Sequence, residues 1–132
     1  MTGEILLVDE NPGVQRALKR FLSQNGYSVM NTNSVQSAGH LISQSPPSLI
    51  ILDIKMPRLD GIEFIRLLRK SHPSLPIIVM TAYPTFFTLE EALKNGVRAY
   101  VTKPFDPAEI LQYVRQLLAE GTVPSEFRRV LL

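Results

Sequence analysis

Four consecutive aliphatic residues, Leu49-Ile50-Ile51-Leu52, run directly into a carboxylate, Asp53, and soon afterwards into Pro57 and Asp60-Gly61. An uninterrupted apolar run of this length, half of it β-branched, is the pattern of a strand buried on both faces. Pro57 with Asp60-Gly61 turns the chain into a loop straight after it. Burying an ionised carboxylate is costly, so Asp53 is expected at the strand's rim, facing outward. In open α/β sheets the carboxyl ends of strands are where ligands bind. The same aspartate would also serve as a plain turn cap, and this stretch alone does not separate the two uses.

Four further apolar segments alternate with helical stripes. Glu4-Ile5-Leu6-Leu7-Val8 reads as a strand ending in Asp9-Glu10, after which Asn11 suits an N-cap and Pro12 a first helical position. Val14, Ala17, Leu18, Phe21 and Leu22 then recur at helical spacing as far as Asn25-Gly26. Tyr27-Ser28-Val29-Met30 is a weaker strand, and Asn33 or Ser34 caps a helix carrying Val35, Ala38, Leu41 and Ile42. Ser45-Pro46-Pro47 ends that helix and leads into the Asp53 strand. Ile62, Phe64, Ile65, Leu67 and Leu68 belong to a third helix, closed by His72-Pro73. Pro76-Ile77-Ile78-Val79-Met80 is a buried strand ending in Thr81-Ala82, followed by a helix within Thr85 to Lys94 that Asn95-Gly96 closes. Ala99-Tyr100-Val101 is the fifth strand and runs into Thr102-Lys103-Pro104-Phe105. Asp106-Pro107 opens a last helix with Ile110, Leu111, Val114, Leu117 and Leu118 on one face.

Five strand–helix alternations call for an α/β fold: a parallel sheet with helices on both faces and right-handed crossovers. The 132 residues suit one domain large enough to bury a core, expected over residues 4–119. Residues 120–132, with Gly121 and Pro124, are expected to be a linker or tail, in which Phe127, Val130 and Leu131 could begin a further helix. A net charge of +2, with Lys and Arg scattered, is too small to argue for direct nucleic-acid binding. With no cysteine there is no disulfide framework and no thiolate nucleophile or ligand. No apolar run approaches the roughly 20 residues of a membrane span, and no signal-peptide pattern opens the chain, so a cytoplasmic protein without membrane contact is expected.

In a parallel sheet the ends of all the strands lie on one edge, which brings Asp9-Glu10, Asp53, Thr81 and Lys103 toward one cleft. Two carboxylates ~4 Å apart at an effective dielectric of about 20 repel by roughly 4 kcal/mol. Three of them therefore call for protonation or for a cation between them. Oxygen donors without His or Cys point to Mg²⁺, which takes one or two carboxylates and keeps water on its other positions. A carboxylate can itself act as a nucleophile and form an aspartyl-phosphate. Thr81 would then hydrogen-bond one phosphoryl oxygen and Lys103 offer a compact cation to another. The Lys103-Pro104 bond is open to the cis form, since X–Pro bonds prefer trans by only about 0.5–1 kcal/mol. Each residue alone has an ordinary use as a helix-start acid, a strand residue or a solvated charge.

These residues closely resemble the receiver domains of two-component response regulators. The matching pieces are Leu6-Leu7-Val8-Asp9-Glu10, Asp53 with Met56-Pro57 and Asp60-Gly61, Val79-Met80-Thr81-Ala82, Tyr100, and Lys103-Pro104-Phe105, spread over about Glu4 to Ala119. The resemblance implies a flavodoxin-like five-stranded parallel sheet in the order 2-1-3-4-5 with five helices. It implies that Asp53 accepts a phosphoryl group from a sensor histidine kinase or phosphotransfer protein, and that Asp9, Glu10, Asp53 and the backbone carbonyl of Lys55 hold Mg²⁺. Thr81 and Lys103 would contact the phosphoryl group. Tyr100 would be an aromatic switch, although an ordinary half-buried aromatic fits its spacing equally well. Such a chain is a switch and not a turnover enzyme. Its signalling face would be built by the fourth helix, fifth strand and fifth helix, acting on an output domain outside this chain or through a homodimer.

Two features depart from the commonest pattern of that family. Glu10 stands where a second Asp is frequent, one methylene longer with the same charge. Pro84-Thr85-Phe86-Phe87 stands where small or polar residues often open the fourth helix. Pro84 should delay that helix, and two adjacent phenylalanines cannot share one helical stripe, so at least one is expected on the surface unless it folds back over the loop. Arg98 and Arg115 are expected near the same face. The runner-up function is a Mg²⁺-dependent phosphohydrolase working through an aspartyl-phosphate, resembling the haloacid dehalogenases. Those enzymes place a general-acid Asp two residues after the nucleophile, where this chain has Lys55. A flavodoxin-like FMN binder is a third candidate, but Asp9-Glu10 in the first loop would repel a phosphate.

Overall fold

The computed structural model describes residues 4–54 and 60–120. Strand and helix alternate as β1 (Glu4–Val8), α1 (Pro12–Gln24), β2 (Ser28–Thr32), α2 (Val35–Gln44), β3 (Leu49–Asp53), α3 (Asp60–Ser71), β4 (Ile77–Thr81), α4 (Phe86–Lys94), β5 (Ala99–Thr102) and α5 (Pro107–Glu120). All four strand pairings are parallel, and the sheet order is β2-β1-β3-β4-β5. The expected elements are all present. β2 lies later than its apolar residues suggest, at Ser28–Thr32 instead of Tyr27–Met30, because β1 pairs with it in register from Glu4–Ser28 to Val8–Thr32. α5 reaches Glu120, and residues 121–132 of the expected linker lie outside the described residues.

The period-two geometry of the strands divides the core into two layers. Leu6, Val8, Ile50, Leu52, Ile77, Val79 and Tyr100 point to one face, where Ala38, Ile42, Ile65 and Ala92 of α2, α3 and α4 cover them. Ile5, Leu7, Leu49, Ile51, Ile78, Met80, Ala99 and Val101 point to the other, under Leu18 and Leu22 of α1 and Ile110, Val114 and Leu117 of α5. β3 is central, which is why its apolar residues do not alternate with polar ones.

Helix ends follow the local chemistry. Asn11 caps α1 through its side-chain oxygen, which accepts the N–H groups of Gly13 (2.8 Å) and Val14 (3.1 Å). Ser34 caps α2 by accepting the N–H of Ser37 at 3.1 Å. The two Asn-Gly pairs end their helices in the same way. Tyr27 N–H donates to Leu22 O and Gly26 N–H to Ser23 O, while Val97 N–H donates to Ala92 O and Gly96 N–H to Leu93 O. Both glycines carry the positive φ that this closure requires, 94° at Gly26 and 69° at Gly96. Pro84 does delay the fourth helix, whose first residue is Phe86.

Candidate functional site

Asp9 leaves β1 at the carboxyl edge of the sheet, its N–H bonded to Thr32 O at 3.1 Å. Its side chain turns back over the loop, Oδ1 accepting the N–H of Asn11 at 2.8 Å. Gln15 of α1 locks the same corner: its amide nitrogen donates to Asp9 O and, at 3.0 Å, to Thr32 O, while its oxygen accepts from Asn31 Nδ2 at 3.1 Å. Asp53 ends the neighbouring strand β3, in register with Met80 of β4. Thr81 ends β4 opposite Thr102 of β5, and its carbonyl accepts the N–H of Lys103 at 2.7 Å. That bond sets Lys103 directly beyond β5, before a cis Lys103–Pro104 peptide.

From there the Lys103 ammonium reaches between the two aspartates, 2.9 Å from Asp9 Oδ2 and 3.2 Å from Asp53 Oδ1. The three side chains are 17%, 0% and 3% exposed, respectively. Asp53 is therefore at the strand's end as expected but does not face outward into water, because an ammonium arriving from β5 supplies the compensation that solvent would otherwise give. Burial pushes the Lys103 ammonium toward losing its proton. The hydrogen bond to Asp9 and the charge of Asp53 outweigh it, so its pKa lies above the ordinary lysine value. One cation against two carboxylates leaves this cluster with a net charge of −1.

The structure thus brings together Asp9, Asp53 and Lys103, with Thr81 joined to Lys103 through the backbone. Glu10 is exposed on the adjoining loop. Among the described residues no group of three or more His, Cys, Asp or Glu side chains is arranged to hold a metal ion. Lys55, whose backbone carbonyl was expected as a ligand, lies outside the described residues. Thr81 is fully buried, its hydroxyl accepting the N–H of Tyr83 at 3.1 Å. Tyr100 is not half-buried but enclosed, its hydroxyl 2.6 Å from Thr88 Oγ1 of α4. Phe86 and Phe87 are both on the surface, 79% and 44% exposed, so neither folds back over the loop. Arg98 is partly buried and Arg115 exposed.

Beside Lys103 an apolar groove of about 440 Å³ runs between α1 and the start of α5, lined by Val14, Ala17, Ala82, Pro104 and Phe105 among others. Sequence reasoning missed Gln15 and Thr88. Gln15 sits inside the α1 stripe with no motif of its own. Thr88 was legible in principle, since Thr85-x-x-Thr88 has the spacing of a helix capping box.

Residues 5–115 match the family model described as the response regulator receiver domain. The chain is 40% identical over 122 residues to the response regulator MprA of Mycolicibacterium vanbaalenii, covering 92% of this chain and 53% of that protein. It is 34% identical over 126 residues to the regulatory protein AtoC of Escherichia coli, covering 96% of this chain and 27% of that protein. The chain therefore spans about half the length of the MprA relatives it matches. Among solved structures, the CheY-like response regulator receiver domain protein of Methanospirillum hungatei superposes with a TM-score of 0.85 at 27% identity, covering 91% of this chain and 96% of that one. With the family match running through both aspartates, Thr81 and Lys103, and with the parallel 2-1-3-4-5 sheet that sets them on one edge, this chain belongs to the response regulator receiver domains of two-component systems.

Proposed function

We propose that the chain is a phosphorylation switch whose phosphoacceptor is Asp53. The observation that carries this reading is the Asp53 carboxylate at a strand's carboxyl edge, 3.2 Å from an ammonium that Asp9 also holds at 2.9 Å. In the transfer, an oxygen of Asp53 attacks the phosphorus of a phosphohistidine on a sensor kinase or phosphotransfer protein. The P–O bond forms as the P–N bond breaks, and the electron pair leaves with the histidine nitrogen. Lys103 meets the added negative charge at one phosphoryl oxygen, and the Thr81 hydroxyl meets another. The chain is in this reading a switch and not a turnover enzyme. The apolar groove between α1 and α5 gives the phosphodonor protein a docking surface next to the acceptor.

The residues fit a divalent cation in chemistry: carboxylate oxygens, a cluster left at net charge −1 by its lysine, and a further carboxylate on the adjoining loop at Glu10. Asp9, Glu10, Asp53 and the backbone carbonyl of Lys55 are the groups that would hold Mg²⁺. When bound, the ion neutralises phosphoryl charge that the lysine alone does not balance. The signal then passes through Thr81 and Tyr100 to the face of α4, β5 and α5, where an output domain outside this chain or a second copy reads it. The receiver occupies residues 4–119 and residues 120–132 link it onward. The protein acts in the cytoplasm without contacting nucleic acid itself; among the described residues no helix is long and apolar enough to cross a membrane.

Incubation with a small acyl phosphate and Mg²⁺ should add one acid-labile phosphoryl group per chain. Asp53→Asn should take up none, and equal labelling of that variant would remove Asp53 from the role.

A further inference from the structure

α2 is a surface helix without a formal charge. Residues 21–52 contain no Asp, Glu, Lys or Arg, in a chain that is 20% charged. The exposed positions of α2 are Gln36, Ser37, His40, Ser43 and Gln44. Depletion of charged residues marks the core of a protein–protein interface more sharply than apolar content does. Beside this helix a groove of about 590 Å³ runs between α2 and α3, lined by Val35, Gly39, Ile42, Phe64, Leu67 and Leu68 among others. It lies on the sheet face opposite α1 and α5, apart from the groove beside Lys103.

Gly39 keeps this groove open. It stands inside α2, where glycine is less stable than alanine, and its φ is not positive. A Cβ at Gly39 would meet only Phe64 Cε1, at 3.9 Å, an ordinary van der Waals distance. Neither backbone conformation nor packing within the chain calls for glycine here. The missing side chain leaves room for a group from outside.

α3 offers such a group. Leu67, on the rim of the groove, is 63% exposed. Helical spacing puts Glu63, Leu67 and Lys70 on one stripe, at i, i+4 and i+7, and all three are exposed. Arg66 is held by Glu91 of α4 at 2.6 Å, whereas among the described residues neither Glu63 nor Lys70 holds an ion pair. At a rise of about 1.5 Å per residue, Glu63 lies about 6 Å to one side of Leu67 and Lys70 about 4.5 Å to the other. Two copies of α3 laid antiparallel across a two-fold axis at Leu67 therefore set Glu63 of each against Lys70 of the other. Parallel copies would set like charges together.

We propose that the α2–α3 face joins two copies of this chain, with Leu67 of each entering the groove of the other and two Glu63–Lys70 pairs closing the rim. A two-fold contact uses the same patch twice, and the exposed side of α2 carries no formal charge to repel its own image. The contact leaves α1, α5 and the groove between them uncovered. It does not depend on Asp53 being a phosphoacceptor, and its test uses no phosphodonor.

Sedimentation equilibrium of the whole chain, without Mg²⁺, reads the pairing. The wild-type mass should rise with concentration from one chain toward two. Glu63→Lys and Lys70→Glu each turn both pairs into like-charge contacts, and each should raise the dissociation constant about tenfold or more. The double variant Glu63→Lys/Lys70→Glu restores opposite charges and should return to within about threefold of wild type. Leu67→Asp should remain a single chain, while Phe87→Ser, on α4, should pair as wild type does. All five substituted positions are exposed, so each variant should keep the wild-type circular dichroism spectrum. A wild-type chain that stays single at every concentration would overturn the proposal. So would charge reversals without effect, a double variant no better than the single ones, or pairing lost in Phe87→Ser.

Discussion

The ammonium of Lys103 lies within 3.2 Å of both Asp9 and Asp53, so its removal leaves two carboxylates, nearly sealed from water, without that counter-charge. Lys103→Met keeps the length of the side chain and deletes the cation. Breaking a fully buried pair costs about 3–5 kcal/mol; with Lys103 partly open to solvent, the expected loss is about 2 kcal/mol at neutral pH, measured by urea unfolding. The pH dependence follows from the raised pKa of Lys103. In the unfolded chain the group titrates near 10.5, and in the fold it titrates higher. Its stabilisation is therefore complete below about 10.5 and disappears as the pH rises through the folded value. The stability gap between wild type and Lys103→Met should be flat from pH 7 to 10 and shrink above 10.5. A gap that widened on the alkaline side would mean that Lys103 is not stabilised by the aspartates.

Among the elements, α1 and α4 end on Asn-Gly pairs whose glycines have positive φ, and at Gly26 an added Cβ would meet no atom within 4 Å. Gly26→Ala therefore isolates backbone strain from steric clash. It should cost about 1 kcal/mol and lower the melting temperature by about 4 °C, read by calorimetry. Asn11→Ala removes the acceptor of the Gly13 and Val14 N–H groups and should cost a similar ~1 kcal/mol. Because Asn11 also donates its N–H to Asp9 Oδ1, the start of α1 and the position of Asp9 are joined in one loop. The helix ends were legible in the residues, since Asn11-Pro12, Ser34, Asn25-Gly26, Asn95-Gly96 and Asp106-Pro107 are local chemistry. The limits of β2 were not. Asn31 and Thr32 extend that strand because β1 supplies a partner at each position, a pairing that strand propensity does not contain.

At the scale of the whole molecule, β3 divides the two core layers, and Ile51 sits in register with Leu7 of β1 and Ile78 of β4. Enclosed on both sides and from above by α1 and α5, it has little room for neighbours to collapse. Ile51→Ala should therefore lose about 3 kcal/mol, seen as a lower urea midpoint with an unchanged slope. A bound cation acts on the whole equilibrium as well. If Asp9, Glu10 and Asp53 hold Mg²⁺, a concentration ten times the dissociation constant should stabilise the chain by about 1.4 kcal/mol. Asp9→Asn should reduce that gain, and an identical response of wild type and variant would place the cation elsewhere.

The alternation of five apolar runs with five helical stripes is enough to require one parallel sheet with a core layer on each face, because residues separated by two or by three to four positions declare which face they bury. The same reasoning set Asp9, Asp53, Thr81 and Lys103 on one edge, since parallel strands all end there. What the residues left open were the choices made by atoms distant in sequence. Lys103 lies 94 positions from Asp9, and it was read as a partner for a phosphoryl group, whereas in the fold its ammonium also bridges the two aspartates. Glu10 carries the same charge as Asp9 one position away, yet Asp9 is sealed from water against the Lys103 ammonium and Glu10 is exposed, a difference decided by a residue from the far end of the sheet. Tyr100 was equally consistent with a half-buried aromatic. Its enclosure and its bond to Thr88 depend on where α4 packs against the sheet, a placement set by contacts across the core and by the α3 guanidiniums, and by no pattern within either segment.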